Sequence, residues 1–365
     1  MNKAIKYRLY PNKEQKTMFA KTFGCVRFIY NKMLTDKIDY YKETKQKLNN
    51  TPAQYKEKFP WLREVDSLAL ANAQLHLQTA YSNFFRDKKI GFPKFKSKSN
   101  KQSYTTNNQK GSIKIEENSF VKLPKIGLVK TKIHKLPNEN YVIKSVTITK
   151  TCSGNYYISI LFEFKKNIEP HPIDNVIGLD YKSDGLYVDS EGHTCGSPKY
   201  YRKSNKKLSR LQRQLSRKQK GSKNRDKQRN KVAKLSEHIS NQRKDFLHKK
   251  STEIANQYDV VCVETLNMKA IGNRKFKNGK ATFDNGYGMF LQFLKYKLED
   301  RGKKFIRVDK WYPSSQLCFC CGKQHQEMKN LSIRKFICDC GYQNDRDINS
   351  ALNIKKEGLR LLERI

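Results

Sequence analysis

The sequence predicts a multidomain chain of mixed α/β and β class: a β domain carrying a helical insertion, then an α/β domain with a cysteine-rich insert. Three observations lead there. Apolar and polar residues alternate before and after a long helical stretch in the first half of the chain; two short apolar strands further on each end in an acid; and five of the nine cysteines crowd between Cys318 and Cys340. A length of 365 residues is enough for a real core in two or three domains.

The first element is Lys3-Ala4-Ile5-Lys6-Tyr7-Arg8-Leu9-Tyr10, whose alternation reads as a strand, and Pro11-Asn12 stops it and offers an N-cap. From Lys13 to Phe85 the pattern is mainly helical, with Leu68, Ala71 and Leu75, then Leu77, Tyr81 and Phe84, at three- or four-residue spacing. Gly91-Phe92-Pro93-Lys94-Phe95-Lys96 breaks the helices. Alternation returns from Ser112 to Lys165, clearest in Val142 to Thr149 and Tyr156 to Phe164, and predicts an antiparallel unit that the first strand can join. The boundaries expected are 1–10 with 96–170 for this β domain and 11–95 for the insertion.

Glu169-Pro170-His171-Pro172 is a joint, and a new domain begins after it. Val176 to Asp180 is a strand, and Leu186 to Asp189 with the turn Ser190-Glu191-Gly192 a hairpin. Two helical segments follow between Lys199 and Lys250, with stripes Leu208, Leu211, Leu215 and Val232, Leu235, Ile239, Phe246, and with 20 basic residues against three acidic ones. Val260 to Glu264 is a buried strand. A Gly-, Asn- and Lys-rich stretch from Gly272 to Gly288 reads as a mobile loop. Phe290, Leu294 and Leu298 mark a helix ended by Gly302, Phe305 to Val308 a strand, and Leu352, Leu359 and Leu362 a final helix.

The 75 Lys plus Arg against 34 Asp plus Glu give a formal charge of +41, which repels itself unless a polyanion shares the volume. Nucleic acid is the natural partner, since neutralised phosphates release counterions. An anionic membrane competes, but there is no apolar run of about 18 residues and no Arg-rich leader with a hydrophobic region, so no membrane association and action in the cytoplasm are expected. On the basic helices, Arg210, Arg213, Arg217 and Arg243 are candidate nucleic-acid contacts. Gln74 and Gln78, on a helix from Asp66 to Asp87, are others, as are Arg8, Lys94 and Lys96. Tyr7, Tyr10, Phe92 and Phe95, interleaved with cations, are candidates for base stacking, with core packing an equal alternative. No ββα finger or clear helix-turn-helix is apparent, so base readout by the protein alone has little support.

Cys318-Phe319-Cys320-Cys321-Gly322 and, 16 residues later, Cys338-Asp339-Cys340-Gly341 are similar to the two knuckles of a zinc ribbon. Paired thiolates before a glycine turn suit tetrahedral Zn²⁺, and four protein ligands make the ion structural. The natural set is Cys318, Cys321, Cys338 and Cys340. The second pair is one residue tighter than usual, and Cys320 is a spare thiol that can substitute.

Asp180 and Glu264 end apolar strands, and an acid opens the last helix. Strand, hairpin, helices, second strand ending in an acid, further strand and acid before a helix is the order an RNase H-like sheet needs. Such a sheet brings acids more than eighty residues apart to one edge, where they hold two hard cations about 3.5–4 Å apart, and Mg²⁺ suits oxygen ligands.

Gly178-Leu179-Asp180, Val263-Glu264-Thr265-Leu266-Asn267 and Asp345-Arg346-Asp347-Ile348-Asn349-Ser350-Ala351 resemble the three RuvC motifs of TnpB, the OrfB-type, transposon-encoded RNA-guided DNA endonuclease related to type V CRISPR effectors. Tyr7 to Asn12, Phe23 to Asn31, Gly91 to Lys96 and His238 to His248 are similar to that family too, so the resemblance covers nearly the whole chain. Tyr181-Lys182-Ser183-Asp184-Gly185 departs from the Gly-containing, apolar continuation commoner after the first motif. The resemblance selects Asp347 over Asp345 as the third acid, with Asp180 and Glu264, and implies catalysis by this triad with two Mg²⁺ ions. It implies a RuvC-like nuclease domain at 171–311 and 343–365, including the basic pair at 199–250, a zinc ribbon at 312–342, and a wedge-like β domain. It further implies a guide RNA from the transposon end, double-stranded DNA cut next to a short motif, and a prokaryotic, nucleoid-acting particle; one copy of the chain in that particle is the expectation, with an oligomer as the alternative. The alternatives are a nuclease-inactive RNA-guided repressor and a strand-joining transposase.

Overall fold

The computed structural model describes every residue except 100, 117–118, 138–139, 274–278 and 365. The chain divides into two compact units, Met1–Lys166 and Asn167–Ile365.

In the first unit, β1 (Asn2–Leu9) leads into α1 (Lys13–Thr44), α2 (Tyr55–Lys58) and α3 (Ser67–Arg86). Asn12 starts α1 with a reciprocal capping box: its side chain accepts from the Gln15 N–H at 2.8 Å, and the Gln15 side chain accepts from the Asn12 N–H at 3.0 Å. Asp66 caps α3 by accepting from Leu68 N at 3.2 Å. β2 (Gln102–Asn107), β3 (Lys114–Glu116), β4 (Phe120–Leu123), β5 (Gly127–Lys132), β6 (Val142–Lys150) and β7 (Tyr156–Glu163) follow. They form a seven-stranded antiparallel sheet in the order β2-β6-β7-β1-β5-β4-β3. The first strand is thus internal, paired along its length with β7 and at its end with β5. Tyr156, Ile158, Ile160 and Phe162 of β7 are buried with Phe19, Ile29, Met33 and Leu70 of the helices in one core.

In the second unit, β8 (Val176–Tyr181), β9 (Gly185–Asp189) and β10 (Thr194–Gly196) precede α4 (Tyr200–Ser216) and α5 (Lys223–Gln257). Then come β11 (Val260–Glu264), α6 (Met268–Ile271), α7 (Gly279–Asn285), α8 (Tyr287–Glu299), β12 (Lys304–Val308), the short hairpin β13 (Lys335–Ile337) and β14 (Gln343–Asp345), and α9 (Arg346–Leu362). The main sheet has the order β10-β9-β8-β11-β12, with β8, β11 and β12 parallel and the other two antiparallel. Ile177, Leu179, Val261 and Val263 face α5 and α8, among Leu247, Phe290, Leu294 and Leu298. Val260, Cys262, Ile306 and Val308 pack with Ile354 of α9 on the other face.

The expected loop from Gly272 to Gly288 is corrected in part. Residues 279–285 are helical and α8 starts at Tyr287; residues 274–278 lie outside the described residues. Burial of a carboxylate explains the order: Asp284, whose side chain is fully buried, accepts from the main-chain N–H of Tyr201 at 2.9 Å and of Arg202 at 3.2 Å, so α7 caps α4.

Candidate active site

Strand register brings the first two acids together. β11 pairs with β8 from Val260 opposite Val176 to Val263 opposite Leu179, so Glu264 and Asp180 follow at neighbouring strand ends. By the two-residue period both lie on the face of Gly178 and Cys262, against which α9 packs. A Cβ at Gly178 would stand 2.1 Å from the Ala351 carbonyl oxygen, and one at Gly358 would stand 2.2 Å from Cys262 Sγ. The two glycines therefore let the helix lie flat on the strands. Asp347 sits in the first turn of α9, and Ser350, three residues on, donates its hydroxyl to Ser314 at 3.0 Å while standing, like the main-chain N–H of Tyr181, where it opposes the rise of the Asp180 carboxyl. Asp345 has a different position: it caps α9, accepting from Asp347 N at 2.8 Å and Ile348 N at 3.3 Å.

The charges at this edge are in conflict. Burial, then Glu264, then Asp347 hold the Asp180 carboxyl well above the usual carboxylate range. Burial alone pushes Glu264 up to about 7. Asp347 has Lys182 at 4.0 Å and Arg334 at 3.6 Å. Beneath the acids, Tyr287 is wholly buried with its hydroxyl unpartnered, and burial plus the fields of Asp180 and Glu264 keep its phenol neutral. Two carboxyls raised at one edge are relieved by a cation of higher charge density than lysine, and oxygen-only donors suit a hard divalent ion.

The thiols make a second centre. The sulfurs of Cys318, Cys321, Cys338 and Cys340 lie within 4.8 Å of one another, the one such cluster of possible metal ligands among the described residues. Cys318 and Cys340 are 3.7 Å apart, and Cys321 and Cys338 are 3.6 Å apart. A tetrahedron with metal–sulfur bonds of about 2.3 Å has edges of roughly 3.75 Å, so the set fits a metal such as zinc. Gly322 and Gly341, at φ of 77° and 85°, turn the chain back after each pair. Cys320 is exposed and outside the cluster. His325 is buried with Nε2 3.2 Å from Cys338 Sγ and Nδ1 2.9 Å from Glu327. Buried asparagines join this segment to α9: Asn349 Nδ2 donates to the Leu317 carbonyl at 2.8 Å, and Asn353 Nδ2 to the carbonyls of Ser314 at 2.9 Å and Leu317 at 2.7 Å.

Residues 159–274 match the family described as "Probable transposase", residues 287–354 the Cas12f1-like TNB domain, and residues 1–46 a helix-turn-helix domain. A Streptomyces pristinaespiralis protein named for RNA-guided DNA endonuclease activity is 34% identical over 98% of this chain and 90% of its own length. The chain belongs to the TnpB family. Escherichia coli K12 InsQ, named for the same activity, is 31% identical over 98% of this chain and 93% of its own. A mimivirus TnpB-like protein, L79, is 32% identical over 33% of this chain and 24% of its own. The Cas12f1 chain of a cryo-EM complex with sgRNA and target DNA shares the mixed α/β multidomain fold at a TM-score of 0.63 and 14% identity, over 97% of this chain and 98% of that one. In this TnpB relative, residues 1–46 form β1 and one continuous helix rather than two helices joined by a turn.

The candidate nucleic-acid residues of this TnpB-family chain fall into different settings. Arg210 and Arg213 on α4 and Arg217 at its C-terminal cap are exposed, and Gln78, Lys94, Tyr10, Phe92 and Phe95 are exposed in the first unit. Two expectations are corrected. Tyr7 is 1% exposed and its hydroxyl donates to the Lys135 carbonyl at 2.5 Å, so its ring is core and offers no stacking face. Arg243 is not a free surface cation, because its guanidinium pairs with buried Asp284 at 3.5 Å. Arg8 binds the Asn155 side chain, Gln74 donates to the Asn50 carbonyl at 3.3 Å, and the Lys96 ammonium lies 3.9 Å over the Tyr30 ring. Tyr287, Ser350, Lys182, Arg334 and His325 did not stand out in the sequence as site residues. Ser350 had a signal, since it lies one helical turn beyond Asp347 in the same motif.

Proposed function

We propose that this protein is an RNA-guided, Mg²⁺-dependent endonuclease that cleaves double-stranded DNA next to a short adjacent motif and is associated with a transposable element. The carrying observation is the close approach of α9 to the sheet at Gly178 and Gly358, which supports convergence of Asp180, Glu264 and Asp347. In this reading the three acids hold two Mg²⁺ ions within an RNase H-like (RuvC) domain of residues 171–311 and 343–365. A zinc ribbon at 312–342 uses Cys318, Cys321, Cys338 and Cys340, a wedge-like domain spans 1–10 and 96–170, and 11–95 is the helical recognition insertion.

Divalent cations at the acids would acidify a water and neutralise the phosphate and leaving oxygen. The chain's own part is positional. The Ser350–Ser314 hydrogen bond holds α9 beside Asp180, the Asp345 cap fixes the turn that carries Asp347, and buried Tyr287 keeps water from the core beside the acids. Guide RNA reads the target by pairing, and the protein holds backbone through its basic surface, Arg210, Arg213 and Arg217 included. The particle carries one copy of the chain and acts on the nucleoid in the cytoplasm. Among the described residues no helix is long and apolar enough to cross a membrane.

The test is purification with RNA transcribed from the flanking end of the element, then incubation with a randomised-motif target library and Mg²⁺. Linear product is expected, lost in Asp180→Ala, Glu264→Ala and Asp347→Ala while RNA binding persists. Target binding without cutting by the wild type would instead favour the repressor. A second reading, strand-joining transposase, has the description of the family matched by residues 159–274 in its favour; joined rather than hydrolysed ends would establish it.

A further inference from the structure

The first unit carries a groove of about 420 Å³ on the outer face of α1, lined by Arg27, Phe28, Asn31, Lys32, Thr35 and Phe95. Its volume lies in the range of small-ligand sites. The Phe95 ring is 56% exposed, and the chain is held at the residue that follows it. Asn31 grips the next residue on both sides, its Nδ2 donating to the Lys96 carbonyl at 2.8 Å and its Oδ1 accepting from Lys96 N at 2.8 Å. The Lys96 ammonium is anchored over Tyr30. Across the groove Phe28 is backed edge-on by Phe59 at 4.7 Å and Trp61 at 4.9 Å. An exposed aromatic ring on a chain segment anchored at the next residue is a contact face rather than core, because ordering the backbone before binding lowers the entropy cost of a contact.

Charge selects the occupant. Asp36 engages Lys32 at 2.7 Å, so Arg27 supplies the uncompensated positive charge; one of its N–H groups donates to the Gln102 side chain at 3.1 Å and the others remain for a ligand. Flanking Phe95, residues 82–98 hold Arg86, Lys88, Lys89, Lys94, Lys96 and Lys98 against Asp87 alone. A second copy of a chain at +41 would be repelled from such a surface. A flat apolar ring beside a guanidinium matches a nucleobase joined to a phosphate, and unpaired RNA bases are those free to stack on protein aromatics.

We propose that this groove binds an unpaired nucleotide of the RNA partner, its base stacked on Phe95 and its phosphate met by Arg27. The inference rests on the RNA-guided reading and deepens it by assigning a site for a single-stranded segment. The experiment titrates the full chain into a single-stranded oligoribonucleotide containing 2-aminopurine, beside a duplex RNA and a single-stranded DNA of equal length. Wild type is expected to quench 2-aminopurine. Phe95→Ala should lose the quench and about tenfold in affinity for single-stranded RNA, with the duplex unaffected and the melting temperature unchanged, and Phe95→Trp should restore both. Equal losses on single strand and duplex, no loss at all, equal dependence on Phe95 for single-stranded DNA, or a dimer of wild type that dissolves in Phe95→Ala would each overturn it. No cutting is needed for the readout, so a chain that quenches normally but yields no linear product would sink the nuclease reading and leave this one standing.

Discussion

Glu264 is held where ionisation is unfavourable. Burial lifts its carboxyl from the ordinary 4.5 to about 7, so the metal-free fold loses stability as pH rises from about 4.5 through 7. Glu264→Gln should therefore melt higher than wild type at pH 8, by on the order of 2 kcal/mol after allowance for partial exposure, with the difference shrinking towards pH 5. Melting curves in Mg²⁺-free buffer without chelator measure this; equal stability at both pH values would contradict it. At this scale Asp180 and Glu264 drew attention because each ends an apolar run, Asp347 because it opens a helix in a motif that resembles the family's, and β1 shows where reading fell short. Tyr7 shares the parity of Ile5 and Leu9, and that alternation placed it in the core despite its basic neighbours. The partner of Arg243 could not be read, since Asp284 lies 41 residues away and meets it only through tertiary folding.

Among the elements, α9 carries Asp347 and packs on the strand face that bears Asp180 and Glu264, and its seat is defined by absent side chains. At Gly178 a methyl group would meet main chain, the Ala351 oxygen at 2.1 Å and Lys355 N at 2.8 Å, whereas at Gly358 it would meet the Cys262 side chain. Gly178→Ala is thus expected to destabilise by about 3 kcal/mol or more, as overpacking against rigid backbone does, and Gly358→Ala by less. Urea unfolding of the two variants orders them, and the opposite order would refute this account of the seat. The strands and long helices were legible through periodicity. The helix at 279–285 was not, because its composition is that of a loop and the buried Asp284 contacts with α4 are non-local. The seating of α9 was equally hidden: a glycine in a sequence does not say what would occupy the space beside it.

For the whole molecule, the charge of +41 exceeds what ion pairs such as Arg243–Asp284 and Arg229–Asp226 take up on α4 and α5, where Arg210, Arg213 and Arg217 stand exposed. RNA affinity should fall steeply and log-linearly with salt. Neutralising these three arginines to glutamine should flatten the slope by about 0.7 for each phosphate contact removed from a single strand. Filter binding from low to high salt tests it; an unchanged slope would assign those arginines to solvent alone. The imbalance was legible from composition, as was a polyanionic partner. Which cations stay available was not, because that depends on neighbours such as Asp284 and Tyr30.

The asparagines that tie the cysteine segment to α9 give the thiol cluster influence over a reaction it does not touch. Asn349 and Asn353 hold the carbonyl of Leu317, immediately before Cys318, Asn353 also holds that of Ser314 in the same segment, and Asn349 lies two residues from Asp347. On the proposed reading, oxidising those sulfurs or withdrawing a metal from them would loosen the helix start, so that cutting fails while RNA stays bound. The expected outcome in metal-poor or oxidising conditions is a protein that occupies nucleic acid and has ceased to break it, with comparison of bound and cleaved fractions after chelation as the measure.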